Sequence, residues 1–538
     1  MATPWWQSAV IYQVYPRSFA DANGDGIGDL EGLRRHLEHL VWLGVDAVWL
    51  SPIYRSPMAD FGYDVSDHCH VDPVFGSLAD AERLVEEANA AGLRVLLDWV
   101  PNHTSDQHPW FVESRRGRDS ARRSWYVWRD GRDGGPPNNW RAAFTGELRW
   151  ELDPATGERR PRAVAAEGGV DPTAWTFDPA TDQWYLHLFL RSQPDLDWNE
   201  PAVVEAQLDV LRFWLDRGVD GFRADVVHAI GKDPALPDDP PELALLPKSS
   251  TNDEPRTHEL LRRIRALLDG YPGDRVMVGE VYLLDTARVA TYYGDGDELQ
   301  LAFNFPPLYT RWRARDWRRQ VDAVVEQVDP VGGWPTWVLS NHDNPRHRTR
   351  YGTEARARAA AVLLLGLRGT PFLYAGEELG LEDAEVPSQE RLDPGGRDGC
   401  RAPLPWTRAR GHGWDGGRTW LPFPPDPAGR SVESQREDPG SVLHLYRRLL
   451  AARRASPALA VGDLALVSPP DDPAVLAWTR SAGDDRRALA VNFTADERPL
   501  ELPGDWVVEV ASERDGPGEG APWSGHLAPD RAVVLRPA

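Results

Sequence analysis

The sequence predicts an α/β protein: a (β/α)8 TIM barrel with a domain inserted after its third strand, followed by a C-terminal antiparallel β domain. Three observations predict this architecture. Short apolar runs alternate with amphipathic helical runs along most of the 538 residues, the alternation stops between residues 104 and 199, and short alternating β runs replace it after about residue 458. The expected divisions are 1–103 with 200–457 for the barrel, 104–199 for the inserted domain, and 458–538 for the C-terminal β-sandwich domain.

The first half of the barrel is expected to contain four strands and three helices. The helices should end at Gly44, Gly92 and Gly218, because glycine readily takes the left-handed conformation that closes a last helical turn. The apolar runs place the strands at 10–15, 45–50, 94–100 and 221–226, and the helices at 30–43, 78–91 and 200–216.

The second half of the barrel repeats the pattern, with polar loops at 228–255 and 377–427. Its strands are expected at 276–281, 301–305, 336–340 and 371–374, and its helices at 257–268 and 441–454. The stretch at 104–199 is rich in turn signals and too long for a loop, so we expect a small, partly β domain there. The C-terminal strands are expected at 475–479, 488–492, 507–510 and 532–535.

The charge balance excludes several classes of partner. The chain has 60 basic and 83 acidic residues, a formal net charge of −23, which argues against nucleic acid and against an anionic membrane. Cys69 and Cys400 form no C-x-x-C motif, and neither a signal-peptide pattern nor an 18-residue apolar run is present. We expect a cytoplasmic monomer or homodimer. Lysine occurs only at positions 232 and 248, which we interpret as coding bias and not as function.

A loop after the first strand predicts a metal site. Asp21, Asn23 and Asp25 place oxygen side chains at alternate positions, and Asp29 follows in ninth place, as at the start of an EF-hand loop. The twelfth position is glycine, so the bidentate Glu of an EF-hand is missing. We expect a structural Ca²⁺ or Mg²⁺ held by these four side chains and the Ile27 carbonyl; the alternative is a solvated turn.

Residues 221–226 carry an Arg and an Asp two positions apart. On a strand, side chains two apart share a face, so Arg223 and Asp225 should point the same way. A cation beside a carboxylate lowers its pKa and keeps it ionised, which suits a nucleophilic Asp. The alternative interpretation is a buried structural ion pair.

The C-terminal ends of the predicted strands collect chemically active side chains, where a barrel of this kind has its active site. They are Asn102, His103, Arg223, Asp225, Glu280, His342 and Asp343. Two carboxylates on either side of one bond are what glycoside hydrolysis requires. We therefore expect Asp225 to attack the anomeric carbon and Glu280 to protonate the leaving oxygen. Asp343 should grip sugar hydroxyls and favour the cationic transition state.

Four ordered segments resemble the signature motifs of the α-amylase superfamily, glycoside hydrolase family 13. They are residues 98–103 (DWVPNH), 221–225 (GFRAD), 279–281 (GEV) and 340–343 (SNHD), and the resemblance extends over residues 10–406. It implies Asp225 as nucleophile, Glu280 as acid/base and Asp343 as stabiliser, with net retention of the α anomer.

Within that family the chain is similar to the oligo-1,6-glucosidase and α-glucosidase branch. The similar segments are residues 21–29, 62–64, 193–198 and 397–406. The first implies the Ca²⁺ or Mg²⁺ site. The others imply Tyr63 stacked under the first sugar, Asp64 on its far hydroxyls and Arg401 nearby, so that an Asp and an Arg close the non-reducing end and make the site an exo-acting pocket.

The complete set of expected substrate contacts combines these resemblances with the strand ends. It comprises Tyr63, Asp64, His103, Phe189, Gln193, Arg223, His342 and Arg401. Phe189 and Gln193 are expected at the entrance of the site. For the two histidines the alternative is a satisfied core residue, and for Tyr63 it is core packing.

These features predict a retaining, exo-acting α-glucosidase that hydrolyses terminal α-glucosyl residues of maltose- or isomaltose-type oligosaccharides, or sucrose, through a covalent glucosyl-Asp intermediate. An α-glucosyltransferase or a sucrose/maltose isomerase with the same intermediate is the alternative, and a non-catalytic transporter-associated relative is a remote one. His228 and Ala229 stand where endo-acting α-amylases carry Lys-His. Val226 is associated with α-1,6 preference in related enzymes, but the loop at 228–255 departs from the oligo-1,6 pattern, so the linkage stays open.

Overall fold

The computed structural model describes residues 3–143, 147–152, 159–164, 173–241, 252–414, 416, 418–513 and 518–538. Parts of the predicted inserted domain, of the loops at 228–255 and 377–427, and of the C-terminal domain lie outside these residues. The domain boundaries stay predictions.

Eight parallel strands form the barrel. In chain order, β1 to β8 are Ile11–Val14, Ala47–Leu50, Arg94–Trp99, Gly221–Ala224, Val276–Gly279, Leu301–Ala302, Thr336–Val338 and Thr370–Tyr374. The strands neighbour one another in the order β6-β5-β4-β3-β2-β1-β8-β7, and Ile11 of β1 lies opposite both Ala47 of β2 and Phe372 of β8. All eight predicted strands are present, which confirms the fold class and brings their C-terminal ends to one mouth.

Helices alternate with the strands along the chain. The barrel helices are Leu30–Arg35, Leu37–Leu43, Leu78–Ala90, Pro201–Leu215, Pro255–Asp269, Thr286–Ala290, Ala314–Gln327, Glu354–Gly366 and Val442–Ala455, with shorter ones at Trp5–Ser8, Pro109–Ser114, Pro306–Tyr309, His347–Tyr351, Val432–Glu437 and Pro457–Val461. The predicted helix at 30–43 is divided at His36, whose ring bonds back to the Gly32 carbonyl at 2.7 Å. Glu354–Gly366 escaped prediction because it is buried along almost its whole length and has no polar face to give a helical period.

The chain between β3 and Pro201–Leu215 contains strands of its own, as predicted. Trp128–Arg129, Gln183–Leu186 and Trp175–Asp178 form an antiparallel sheet, and Glu147–Leu152 pairs with Arg159–Val164. Apolar side chains of this segment, including Trp140, Trp175 and Phe189, pack in one cluster with Val226 from the loop after β4. The inserted segment therefore lies against the mouth of the barrel.

The C-terminal region is an antiparallel sheet, as predicted. Its strands are Asp463–Leu466, Val475–Ala482, Asp485–Asn492, Ala532–Pro537 and Trp506–Ala511 in spatial order, and Arg498–Pro499 pairs with His526–Leu527. Leu489 and Trp478 of this sheet press on Gly366, where a Cβ would lie 2.3 Å from a Leu489 methyl carbon. Within the described ranges, no helix has the length and apolarity needed to cross a membrane.

Candidate active site

Arg223 lies at the centre of the mouth and binds three carboxylates. Its Nη1 donates to Asp98 Oδ1 at 2.8 Å and to Asp225 Oδ1 at 2.7 Å, and its Nη2 donates to Glu280 Oε2 at 2.6 Å. The register of the sheet explains this meeting, because Arg223 on β4 is directly opposite Asp98 on β3 and Glu280 follows the end of β5. The predicted site residues Arg223, Asp225 and Glu280 therefore lie side by side, and Asp98 joins them.

Burial changes the expected ionisation of these acids. It raises the pKa of Asp225 well above its ordinary value; Arg223 lowers that pKa, while Glu280 and Asp98 raise it further. Burial likewise raises the pKa of Asp98 to about 6, against the lowering effect of Arg223. Arg223 alone would keep Asp225 ionised, as the sequence predicts, but the cost of desolvating the buried carboxylate outweighs the attraction of the arginine. Like charges this close do not ionise independently, so these acids titrate as one coupled group.

The residue after Asp225 has an unusual backbone conformation. Val226 has φ 36° and ψ 40°, in the left-handed region that β-branched residues rarely adopt. Its N–H donates to Glu280 Oε2 at 3.0 Å, so this oxygen accepts from both Val226 and Arg223. Glu280 Oε1 is therefore the better place for a catalytic proton.

Asp343 lies near the acids around Arg223 but is bound by two other arginines. Its Oδ1 accepts from Arg397 Nη1 at 2.9 Å and from Arg401 Nη2 at 3.1 Å, and its Oδ2 lies 3.3 Å from His342 Nε2. Burial alone would raise the pKa of Asp343, but His342, Arg397 and Arg401 hold it below its ordinary value. With its side chain 28% exposed, Asp343 is an ionised carboxylate that opens toward solvent.

His342 and Tyr63 join the two groups of acids. Gln13 Nε2 donates to His342 Nδ1 at 2.7 Å, so the imidazole proton lies on Nε2, 2.5 Å from the Tyr63 hydroxyl. That hydroxyl donates to Asp98 Oδ2 at 3.0 Å, and the two rings stack with centroids 5.4 Å apart. Burial lowers the pKa of His342 to about 3, so the ring is neutral. Gln13 on β1 was not expected at the site, since an amide inside a strand gives no sequence signal.

The far end of the site is closed by Asp60, Arg397 and Gln193. Arg397 Nη2 donates to Asp60 Oδ1 at 2.6 Å, and Gln193 Nε2 donates to Asp60 Oδ2 at 3.1 Å. These residues come from the loop after β2, the loop after β8 and the inserted segment. Arg397 belongs to the Arg-containing segment at 397–406, from which only Arg401 was predicted at the site. It contacts both Asp60 and Asp343.

The structure corrects the expectation for Asp64. That carboxylate is fully buried and accepts from the Ser56 hydroxyl and from the N–H groups of Ala59 and Asp60, so it holds the loop and does not face a sugar. Asp60, four residues earlier, instead contacts Arg397 and Gln193 at the closed end of the site. The turn at Gly62, with φ 111°, reverses the chain between the two acids, and a motif read as a linear string does not reveal which of them faces the pocket.

His103 and Phe189 lie on the side of the inserted segment, as expected. His103 Nε2 is 3.1 Å from Gln193 Nε2, and its ring centroid is 5.1 Å from that of Phe189. Burial lowers the pKa of His103 to about 4, so this ring is also neutral. The structure thus brings together every expected substrate residue except Asp64.

The predicted metal loop is folded on its own polar groups. Asp21 accepts backbone N–H groups of the loop with both carboxylate oxygens, Asn23 and Asp25 each accept one, and Asp29 caps the helix Leu30–Arg35. Burial raises the pKa of Asp29, and the charges of Asp21 and Asp25 add to that effect. The oxygen atoms of these four side chains and of the Ile27 carbonyl are the type of ligand that Ca²⁺ and Mg²⁺ prefer. No group of three acidic, His or Cys side chains converges as a metal site in the described part of the chain, so the metal stays a prediction.

Comparison with known proteins places this arrangement in a family. Residues 13–462 match the model of the alpha amylase catalytic domain. The chain belongs to the alpha-amylase family. This confirms the resemblance drawn from the four motifs.

Curated relatives within the alpha-amylase family cover nearly the whole chain. A probable alpha-glucosidase of Rhizobium meliloti (strain 1021) is 41% identical over 540 residues, covering 93% of this chain and 91% of its own. An oligo-1,6-glucosidase of Parageobacillus thermoglucosidasius is 35% identical over 562 residues, covering 95% and 94%.

Solved structures of alpha-amylase family members superpose over the full length. The alpha-glucosyl transfer enzyme XgtA is similar with a TM-score of 0.88, 41% identity and 100% coverage of both chains. The trehalulose synthase MutB from Pseudomonas mesoacidophila MX-45 is similar with a TM-score of 0.89, 35% identity and 100% coverage of both chains. Relatives named as glucosidases and solved structures of transfer enzymes therefore have comparable sequence identity to the chain.

Proposed function

We propose that this protein is a retaining, exo-acting α-glucosidase that hydrolyses the terminal non-reducing α-glucosyl residue of short α-glucosides. One observation carries the proposal: Arg223 binds Asp98, Asp225 and Glu280 together at the barrel mouth. One guanidinium thus contacts both the nucleophile, Asp225, and the acid/base, Glu280, that a double displacement requires. The alpha-glucosidases and oligo-1,6-glucosidases among the relatives support it.

In the first half of the reaction, Asp225 attacks the anomeric carbon while the glycosidic bond breaks. Glu280 gives its proton to the leaving oxygen, so the aglycone departs as a neutral alcohol and a glucosyl-Asp225 ester remains. The Arg223 guanidinium stabilises the negative charge of whichever carboxylate is ionised at each stage. This step requires that the acids hold one proton between them, on Glu280, when the substrate binds.

In the second half, ionised Glu280 takes a proton from water, and the water oxygen attacks the anomeric carbon. The ester bond to Asp225 breaks, α-glucose forms with its configuration retained, and Glu280 is protonated again. Asp343 remains ionised throughout, held by Arg397 and Arg401, and its negative charge stabilises the oxocarbenium-like transition states.

The closed end of the site supports exo action on short substrates. Asp60, Arg397 and Gln193 bind one another there, and their polar groups suit the hydroxyls of one terminal sugar. Maltose, isomaltose and sucrose all present such a terminal α-glucosyl residue, and the choice among them lies on the leaving-group side.

Transfer to a sugar acceptor is the second candidate function. The 41% identity to the alpha-glucosyl transfer enzyme XgtA and the similarity to trehalulose synthase favour it, because transfer uses the same ester and replaces water with an alcohol. A non-catalytic, transporter-associated role has no comparable support, since Asp225, Glu280 and Asp343 are all present around Arg223 and Arg397. The cytoplasmic location and the oligomeric state stay predictions.

A proton NMR time course in a mixture of maltose, isomaltose and sucrose tests the proposal. We expect α-glucose to appear before β-glucose, and the sugar consumed first to identify the linkage. New glycosidic signals in place of free glucose would establish the transfer function instead. Asp225→Asn should abolish turnover of all three sugars, while Glu280→Gln should lose maltose turnover but keep partial activity on p-nitrophenyl α-glucoside, whose leaving group needs no proton. Full maltose turnover by Glu280→Gln would contradict the assigned roles.

We further propose that Ca²⁺ or Mg²⁺ binds the loop at 21–29 through Asp21, Asn23, Asp25, Asp29 and the Ile27 carbonyl and acts on stability alone. The cation would offset the repulsion among its carboxylates and takes no part in the chemistry. Chelation with EDTA should lower the melting temperature, added Ca²⁺ should restore it, and Asp21→Ala should remove the response. Loss of activity on chelation without any change in melting temperature would contradict the proposal.

A further inference from the structure

Asp393 lies four residues before Arg397 in the loop that follows β8, and its side chain is fully buried. Its Oδ2 accepts from the Arg397 backbone N–H at 2.7 Å and from Arg397 Nε at 2.9 Å, and its Oδ1 accepts from Arg397 Nη2 at 2.6 Å. Arg401 Nη1 donates to the same Oδ1 at 3.3 Å. One carboxylate therefore binds both of the arginines that hold Asp343, and it binds Arg397 through the backbone and the side chain together.

The local sequence explains why this carboxylate meets Arg397. Residues 393–397 are Asp-Pro-Gly-Gly-Arg, a run of turn-forming residues before the arginine. The Gly396 N–H donates to the Asp393 carbonyl at 3.1 Å, and Gly396 has φ 70°, a left-handed conformation that glycine adopts without strain. The turn reverses the chain within these five residues, so the backbone and the guanidinium of Arg397 come against Asp393.

The contacts of Asp393 determine where the Arg397 guanidinium points. The N–H groups of a guanidinium lie in one plane as a fixed fork, and Asp393 binds the edge formed by Nε and Nη2. Holding one edge fixes the direction of the remaining donors. These meet Asp343 Oδ1 from Nη1 at 2.9 Å and Asp60 Oδ1 from Nη2 at 2.6 Å. An arginine without this partner would keep its rotamer freedom and would not hold both pocket carboxylates in one geometry.

Asp393 also changes the charge balance at the closed end of the pocket. Burial alone would raise its pKa, but Arg397 and Arg401 hold that pKa below its ordinary value, so Asp393 is ionised. It therefore takes up part of the positive charge that Asp343 would otherwise share only with Asp60. This leaves Asp343 more of the negative charge with which it stabilises a cationic transition state.

We propose that Asp393 is a positioning residue of the glucosyl pocket: by binding the Nε–Nη2 edge of Arg397, it keeps the remaining donors of that guanidinium aligned on the two pocket carboxylates before a substrate arrives. The inference rests on the proposed function for the terminal sugar that these groups serve, and on the contacts alone for the alignment of Arg397. Asp393 does not touch substrate, because its side chain is fully buried; it acts through Arg397.

A double-mutant cycle tests whether Asp393 acts through Arg397. Asp393→Asn replaces one acceptor oxygen with an NH2 group that cannot accept from a guanidinium. The value of kcat/KM for the preferred α-glucoside should therefore fall about 10- to 100-fold, mainly through a higher KM. In an Arg397→Leu background the same change should cost less than about threefold, because the side chain that it orients is gone. Equal losses in both backgrounds would show that Asp393 only supports the fold and would overturn the proposal.

Asp220→Asn is the matched control. Asp220 directly precedes β4, at the end of the barrel opposite the mouth, and it is a buried carboxylate that also binds two arginines and a backbone N–H. Its Oδ1 accepts from Arg94 Nη1 at 2.9 Å and Arg275 Nη1 at 3.0 Å, and its Oδ2 accepts from the Val95 N–H at 3.0 Å. The change should lower the melting temperature while leaving kcat/KM within about twofold. A loss as large as that of Asp393→Asn would overturn the proposal.

Asp393→Glu separates geometry from charge. It keeps the negative charge but moves the carboxylate by one methylene, so the carboxylate no longer fits the fork of Arg397. We expect a loss of kcat/KM about as large as for Asp393→Asn, and this variant replaces Asp393→Asn in the cycle if the latter does not fold. Near wild-type activity of Asp393→Glu would contradict the geometric argument.

The alignment of Arg397 is measurable without any substrate. In crystal structures of the wild type and of Asp393→Asn, the wild-type guanidinium should donate to both Asp343 and Asp60. In the variant at least one of these contacts should lengthen beyond about 3.2 Å, the upper end of the hydrogen-bond range. Both contacts retained in the variant would overturn the proposal, whatever the kinetics. A displaced Arg397 in a protein whose wild type hydrolyses no α-glucoside would count only against the proposed function.

Discussion

The barrel mouth and the seam between the barrel and the C-terminal sheet both bury arginine side chains, but they surround them differently. At the mouth, Arg223 donates to Asp98, Asp225 and Glu280, all of which can change charge. At the seam, Arg480 is buried and donates to the carbonyls of Gly366 and Gly462, which cannot. The mouth uses its arginine to control ionisation, and the seam uses one to satisfy backbone groups where a helix ends.

This difference predicts that removing a buried arginine has a different effect at each place. Removing a cation from among carboxylates changes their protonation and so the chemistry, whereas removing a cation from carbonyls leaves unsatisfied acceptors and so lowers stability. The four predictions that follow test this separation, from the largest expected effect to the smallest.

Arg223→Met should lower kcat/KM by at least about 1,000-fold, because Asp225 and Glu280 lose the donor that they share and Asp225 loses the cation that lowers its pKa for nucleophilic attack. Steady-state kinetics on the preferred α-glucoside across pH 4 to 9 measure the effect, with circular dichroism to confirm that the variant folds. A loss smaller than tenfold would show that the mouth does not depend on its central cation.

Asp60→Asn and Asp64→Asn form a matched pair within one loop. Asp60→Asn should raise KM by about 10- to 100-fold, since the ion pair with Arg397 and a charged acceptor for sugar hydroxyls are lost together. Asp64→Asn should instead lower the free energy of unfolding by about 1 to 2 kcal/mol, because its carboxylate accepts backbone N–H groups. The reverse pattern would restore Asp64 as the sugar contact.

Arg480→Leu should lower the free energy of unfolding by about 1 to 3 kcal/mol, because the buried Gly462 carbonyl loses the Arg480 donor and the Gly366 carbonyl keeps only Trp478 Nε1, at 3.2 Å. Urea unfolding at pH 7 measures this, and Arg315→Ala serves as an exposed control, with a side chain 67% exposed. Activity per folded molecule should stay unchanged; a fall in kcat would show that the seam communicates with the mouth.

Glu377 is a buried carboxyl whose hydrogen-bond donors are neutral, in contrast to the acids around Arg223. The Tyr446 hydroxyl and the Tyr374 N–H bind it at 3.2 and 3.1 Å, and burial raises its pKa to about 8. Since this folded-state pKa exceeds the unfolded value of about 4.3, the folded state binds more protons in between, and stability falls as the pH rises from about 4.3 through 8.

Glu377→Gln removes that titration and so should flatten the pH dependence. Relative to wild type, the variant should gain about 1 to 2 kcal/mol of unfolding free energy at pH 8 compared with pH 6.5. Urea unfolding of both proteins at the two pH values measures the difference. Parallel pH profiles would contradict the raised pKa of Glu377.

The strand ends were predictable because a parallel sheet sends every strand toward one mouth, whatever the loops do. Arg223, Asp225, Glu280 and Asp343 follow from that rule alone. The ionisation of Asp225 did not follow, because burial depends on the inserted segment and the loops that cover the mouth, and this covering is invisible in a strand pattern.

Loop geometry and composition hid the remaining site residues. Asp60 and Asp64 differ only in which side of the Gly62 turn they occupy, which is a property of backbone angles. Lys232 was interpreted as coding bias because composition is an average over the chain, whereas its buried ammonium contacts Asn102 and Asp195, which are distant in sequence, besides the nearby Ala229 carbonyl. Gln13 was missed since nothing near it in the sequence predicts a histidine partner.

The pairing of β1 with β8 has a consequence for how the protein is made. Gln13 and His342 touch although they are 329 residues apart, so the first strand must wait for the last third of the chain before its second edge is covered. At synthesis rates of about 5 to 20 residues per second, that wait lasts tens of seconds, during which an apolar strand edge is open to other nascent chains. Variants in β1 or β8 should therefore show their defects first in the yield of soluble protein during expression, before any change in kinetic constants.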